Sequence, residues 1–184
     1  MQVLNMKNAM CDLETLGTLP GCSILSIGVV MFDANGLGAE FYTAVSRASC
    51  AAAGLVEDAN TLAWWSAQSA DARKAIDAAE HPDAPTLQEA LAKFNAFIKS
   101  HCPGAKVWGN GAEFDNAILN VALSKVGMRP SWAMQNSRCY RALKGIAPGP
   151  KLVRVGTYHN ALDDAKSQAL HAIELFKLHP TLVM

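Results

Sequence analysis

The chain predicts an α/β fold, a mixed β-sheet flanked by α-helices, and three observations carry that expectation. Its first 45 residues hold three short strand-like runs joined by turn signals. After them, strand-like runs alternate with amphipathic helical ones. With 51% hydrophobic and 17% charged among 184 residues, there is enough apolar surface for one core, so a single domain over 1–184 is expected, without repeats or low-complexity linkers.

Each element follows from its pattern. Residues 8–14, NAMCDLE, are short and apolar, and 23–33, SILSIGVVMFD, are rich in β-branched side chains, which suit a pleated surface. ANGLG at 34–38 supplies a turn and AEFYTAV at 39–45 alternates, so a hairpin follows. Residues 57–79 carry apolar side chains at helical spacing, with Asn60 as the expected N-cap. A further helix spans 84–102 and stops before the Pro-Gly pair at 103–104. AKVWGN at 105–110 reads as a buried strand, and 112–127 as a helix whose Gly127 suits the position just past its end. Residues 136–147 suggest a short strand running into a helix, and 159–179 close the chain as a long amphipathic helix. Strand order does not follow from any of this.

Composition excludes several classes. A formal net charge of zero argues against a generic polyanion-coating protein. The cysteines are odd in number, 5, and contain no C-x-x-C pair, so they read as reduced thiols rather than a disulfide framework or a zinc knuckle. No charged leader followed by an apolar run is present, and no segment approaches the roughly 18 apolar residues of a membrane span, so a cytoplasmic protein without membrane partners is expected.

The chemistry begins with Asp12 and Glu14. On a strand, residues two apart point to one face, so both carboxylates converge while Leu13 between them faces the other way. Two like charges held together are costly unless they lie in water or ligate a hard divalent cation. Asp115 lies at the start of the helix after the 105–110 strand, and Asp164 near the beginning of the last helix, with His159 five residues earlier. Asp164 and Gln168 share a helical face, whereas Asp163 points about 100° away toward solvent. Four carboxylates and a histidine can bind two metals and position a water, as phosphodiester hydrolysis requires.

DLET at 12–15, GNGAEFD at 109–115 and HNALDDA at 159–165 resemble, in order, the three motifs of the DnaQ-like DEDDh 3′-5′ exonuclease superfamily. The last fits H-x-A-x-x-D at every fixed position. Together with WWSAQS at 64–69, these segments are similar to the short stand-alone exonucleases of phages and bacteria of the DexA and mycobacterial exoribonuclease-like type, over roughly residues 8–178. The resemblance implies a ribonuclease H-like fold. It also implies a cofactor of two Mg²⁺ or Mn²⁺ ions held by Asp12, Glu14, Asp115 and Asp164, with His159 as the base that deprotonates water. The implied substrates are 3′ ends of single-stranded DNA or RNA, or 3′ overhangs, cut to nucleoside 5′-monophosphates; family members include dimers, so a homodimer is among the implied partners. TLGT at 15–18 departs from the threonine-threonine-glycine of proofreading members, which bears on the grip of the terminal nucleotide and not on the metals.

Further expectations concern that grip. Thr15, Leu16 and Gly17 are expected to meet the 3′-terminal nucleotide, Leu16 as an apolar wedge. Trp64 and Trp65 read first as core anchors, with Trp65 and Gln68 the candidates for the nucleotide pocket, and Trp108 reads as core. His81, His101, His171 and His179 read as surface or helix-end residues. Gly109 and Gly111 suit close backbone packing, since no Walker lysine follows them. Between Asn116 and Leu162 there is no acid, while Lys125, Arg129, Arg138, Arg141, Lys144, Lys151 and Arg154 all fall there. Such a segment suits strand phosphates, with Arg138 the residue singled out. Two other readings stay open: a non-catalytic nucleic-acid-binding module of the same fold, and a phosphodiesterase of short oligonucleotides.

Overall fold

The computed structural model describes residues 7–111 and 113–182. Its strands are β1 (Asn8–Thr15), β2 (Ile24–Asp33), β3 (Gly36–Ala44), β4 (Lys106–Gly109) and β5 (Ser137–Cys139). Its helices are α1 (Arg47–Ala52), α2 (Ala59–Ser66), α3 (Ala70–Glu80), α4 (Leu87–His101), α5 (Asp115–Lys125), α6 (Tyr140–Ile146) and α7 (Ala161–Leu178). The strands form one five-stranded sheet in the order β3-β2-β1-β4-β5. β1 pairs antiparallel with β2, and β2 with β3, whereas β1–β4 and β4–β5 are parallel, so the expected mixed α/β sheet is present.

Alternation along β1 distributes the two cores. Ala9, Cys11 and Leu13 pack with Leu91, Phe94 and Ile118 of α4 and α5 on one face. Met10 packs on the other face with Phe32, Trp108 and the Ala165, Ala169 and Ala172 stripe of α7. Asp12 and Glu14 continue Met10's row, so they fall on the α7 face where the second core ends. The register between β1 and β2 shifts at Glu14 and Thr15. Such a bulge breaks the ladder and turns the chain into the loop that follows.

The helical region after β3 corrects two expectations. The stretch 57–79 is two helices, because Ser69 accepts the amide of Ala72 and starts α3 three residues after α2 ends. The N-cap of α2 is Asp58, whose carboxylate accepts the Thr61 amide at 2.8 Å, and Asn60 lies inside the helix. Helix α1 was not among the expected elements; Ser46 caps it. Helix α4 starts with a reciprocal box in which Thr86 and Glu89 satisfy one another's amides. The helix expected from 112 begins at Asp115, Ala112 itself lying outside the described residues, and Gly127 follows its end at φ 71°. The described cysteines are all free, and four of the five are buried. Among the described residues no helix is long and apolar enough to cross a membrane.

One glycine fixes how α7 meets the sheet. Gly28 lies opposite Asp12 in the β1–β2 ladder. A Cβ there would stand 2.2 Å from the backbone of Ala161 and Leu162, in the first turn of α7. Gly28→Ala is therefore expected to push α7 off the sheet and destabilise the fold by about 3 kcal/mol or more, because backbone cannot yield as a side-chain tip can. Denaturant unfolding checks this, and a variant within 1 kcal/mol of the parent, on the order of experimental scatter, would contradict it.

Candidate active site

The carboxyl end of β1, the start of α7 and the loop before it converge on a cavity of about 730 Å³. β4 stops at Gly109 while β1 runs on to Thr15, so the Leu13 amide has no strand partner on that side. Asp115 supplies one: its Oδ1 accepts the Leu13 amide at 3.1 Å and its Oδ2 the Asn110 amide at 2.6 Å. Gly109 leaves room for this, since a Cβ there would meet the Asp115 carboxylate oxygen at 2.9 Å. Asp115 is wholly buried, its carboxylate ties β1 to the residue that follows β4, and it lies near enough to Asp12 for its charge to be felt there.

Asp12, Glu14 and Asp164 face the cavity. Gln168, one turn beyond Asp164, donates to Asp12 Oδ1 at 2.6 Å, the consequence of the shared helical face. Ligand atoms of Glu14, His159 and Asp164 all lie within 4.8 Å of one another. Asp164 Oδ2 accepts the His159 amide at 3.1 Å, and its Oδ1 accepts Arg154 Nη1 at 2.5 Å. Asn160 caps α7 by accepting the amides of Leu162 and Asp163. His159 itself sits at φ 62°, the left-handed region that costs a non-glycine residue of order 1 kcal/mol or more. Its ring stands T-shaped to Trp64 and stacked on Tyr158, with centroids 4.8 and 3.7 Å away.

The electrostatics follow from burial with too little positive charge. Burial first, then the nearby Asp164 and Asp115, push the Glu14 carboxyl up to about 8. Asp12 is raised well above the carboxylate range by burial and by Asp115, Glu14 and Asp164. Asp115 is raised by burial to about 6, its amide donors opposing the shift. Asp164 is raised by burial and held back by Arg154 and the His159 amide. Burial pushes the His159 imidazole below its ordinary 6.5, Asp164 opposing and Arg154 adding to the effect. A row of hard carboxylate oxygens that resist sharing a site fits a hard divalent cation, which would relieve the repulsion that raises them.

The side chains expected at the nucleotide are placed less uniformly. Thr15 and Gly17 reach the cavity wall, with Thr15 Oγ1 donating to the Gly17 carbonyl at 2.7 Å. Leu16 does not: it is fully buried among Leu25, Trp65 and Ala72, because the bulge turns it into the core under α3. Trp65 touches the wall but is 1% exposed, and its Nε1 donates to the Thr15 carbonyl at 2.8 Å, so it holds that strand end in place. Its neighbour Trp64, expected in the core, is 44% exposed and lines the cavity. Gln68 is off the wall, folded back onto the Trp64 carbonyl where α2 ends. Arg138 is off it too, donating to the carbonyls of Gln135 and Ser137 on the edge strand.

Two further expectations change. His171 is no surface residue: it is 6% exposed, with Nδ1 2.6 Å from the Tyr140 hydroxyl and Nε2 2.8 Å from the Pro150 carbonyl. Asp163 is half-buried and accepts the Thr157 amide at 2.7 Å, which closes the loop before α7. Of the basic residues between 125 and 154, Lys144 and Arg154 line the cavity. The acid-free stretch was the signal for them, but it did not separate them from Arg138.

Comparison with known proteins places the chain in a family and gives its fold relatives. The family model of the 3′-5′ exoribonuclease Rv2179c-like domain matches residues 7–176. An exodeoxyribonuclease of Enterobacteria phage T4 is 31% identical over 125 residues, covering 62% of this chain and 54% of the phage enzyme. The chain thus spans about half the length of that relative. Among solved structures, a full-length 3′-exonuclease superposes with a TM-score of 0.58 at 15% identity, over 93% of this chain and 82% of that one. Cell-death related nuclease 4 superposes with a TM-score of 0.52 at 11% identity, over 94% and 65%. These two likenesses concern the fold.

Proposed function

Because the chain belongs to the family of 3′-5′ exoribonuclease Rv2179c-like domains, we propose that it shortens single-stranded DNA or RNA from the 3′ end by two-metal hydrolysis, releasing nucleoside 5′-monophosphates. The supporting observation is the convergence of Glu14, His159 and Asp164 within 4.8 Å beside Asp12. Asp12, Glu14 and Asp164 would hold Mg²⁺ or Mn²⁺, and Asp115 would act from behind them by fixing the end of β1. Bound, such ions act as Lewis acids on the phosphoryl oxygens and lower the pKa of a ligated water.

The chain's own groups do the rest. His159, held below its ordinary pKa, is neutral at pH 7 and accepts the proton of the attacking water at a ring nitrogen. Trp64 and Tyr158 fix its ring plane, and the Asp164 contact fixes its backbone. Thr15 and Gly17 bound the wall that the terminal nucleotide meets, and Lys144 and Arg154 place positive charge there for its phosphate. A cavity of about 730 Å³ is the size of a pocket for one small ligand, so it suits the end of a strand or a short oligonucleotide rather than a duplex.

The test uses 5′-labelled single-stranded DNA, single-stranded RNA and duplexes with 3′ overhangs, in Mg²⁺ or Mn²⁺. A ladder shrinking from the 3′ end, abolished by chelator, is expected; the relative rates on the two sugars decide between the family's named RNA activity and the phage relative's DNA activity. Shortening from the 5′ end would refute the proposal. His159→Asn, which tolerates the left-handed backbone, is expected to lower kcat roughly 10²–10⁴-fold. The parent's kcat/KM should fall with acid through a midpoint below 6.5, as His159 takes up a proton; in the variant that limb should vanish. An unchanged acid limb in His159→Asn would assign the base elsewhere.

A further inference from the structure

Among the described residues, Arg154 is the cation that ion-pairs with the acidic cluster, and it does so through Asp164. Its guanidinium also lies 3.7 Å over the Tyr158 ring, and Tyr158 stacks on His159. Its backbone is fastened on the next residue, where the Val155 amide donates to Ser167 of α7 at 2.9 Å. Beyond it Gly156, at φ 70°, lets the chain pass the Asp163 carboxylate at a distance no Cβ would allow. The anchor is thus rigid while the side chain, 44% exposed, retains room to turn within the cavity that Lys144 also lines. A carboxylate oxygen engaged by a guanidinium at 2.5 Å cannot give the same lone pairs to a divalent cation. A cation on that oxygen would leave the guanidinium with repulsion at its old place, beside the cavity it already lines.

Resting on the metal-dependent reading above, we propose that Arg154 is an exchangeable partner of Asp164. It occupies the carboxylate when no divalent cation is bound, and turns to the phosphate of substrate or product when one is. Arg154 is then a positioning residue in the metal-free state and a phosphate contact in the loaded one. Arginine's guanidinium suits both partners: one nitrogen donates to the Asp164 oxygen that the His159 amide leaves free, and the planar fork matches a phosphate.

Calorimetric titration of Mn²⁺ into the parent, Arg154→Gln and Arg154→Lys separates these roles without measuring turnover. Arg154→Gln is expected to bind Mn²⁺ about tenfold more tightly, since the competitor is gone, and at saturating Mn²⁺ to bind adenosine 5′-monophosphate about tenfold more weakly. Arg154→Lys, which keeps the charge without the fork, should fall between on both measures and stands in if the glutamine variant folds poorly. Equal or weaker Mn²⁺ affinity without Arg154, or undiminished nucleotide binding, would overturn the exchange. If the parent and both variants fail to bind Mn²⁺ at all, the metal-dependent reading itself falls, which is a different result from equal binding in all three.

Discussion

Asp12→Asn is expected to slow hydrolysis about a thousandfold or more while making the metal-free protein more stable. Asp12 faces the cavity at the end of β1, between Gln168 of α7 on one side and the Glu14 carboxylate on its own strand. Its charge is opposed by burial and by three neighbouring acids, Asp115 first. Asparagine has the same shape and keeps an oxygen for the Gln168 amide, so packing is retained while the repulsion is removed. Lost activity with gained stability is the signature of a charge kept for function against the fold's interest. Activity within tenfold of the parent, or a lower melting temperature in chelator, would count against the metal-binding role.

The second large effect is a pH-dependent stability that a divalent cation cancels. A carboxyl whose folded pKa exceeds its unfolded one carries, between the two values, a proton that the unfolded chain has released. Stability therefore falls as pH rises through that window. For Glu14 the window runs from 4.5 to about 8, and for Asp115 from 3.8 to about 6, with Asp12 and Asp164 shifted in the same direction. His159, shifted below 6.5, acts in the opposite sense, since a buried neutral imidazole gains stability as pH rises toward 6.5. The acids outnumber it. In chelator, the melting temperature should drop by on the order of 10 °C between pH 5 and 8, corresponding to a few kcal/mol. Mg²⁺ or Mn²⁺, binding the ionised folded state, should restore it, with the larger gain at pH 8. Melting curves at both pH values with and without cation decide this; an equal cation effect at pH 5 and pH 8 would contradict it.

The fold was legible wherever local pattern and tertiary environment agree. The alternation of β1, the β-branched run of β2, the apolar period of α4 and the glycine ending α5 are all local signals, and each became the element its pattern predicts. The division of 57–79 was not legible, because the apolar spacing runs through Ser69 and only the hydrogen bond from the Ala72 amide marks a new start. Likewise Trp64 and Trp65 are indistinguishable as neighbours in sequence. The rotation of about 100° between consecutive helical residues sends Trp65 under the Thr15 carbonyl and Trp64 into the cavity.

By itself, the sequence determined that Asp12 and Glu14 share one side of a strand, and the resemblance of three ordered motifs led to the expectation that Asp115, His159 and Asp164 join them. The tertiary structure alone decided how each takes part. It put Asp115 behind the site as a partner for the orphaned Leu13 amide and drew Leu16 into the core. It also brought Arg154 rather than Arg138 to the Asp164 carboxylate. The reason is physical: period and motif order are carried by the chain locally. Which side chain reaches a given carboxylate depends on where β4 ends, where β1 bulges and how closely α7 can approach Gly28, and those distances exist only once the sheet has formed.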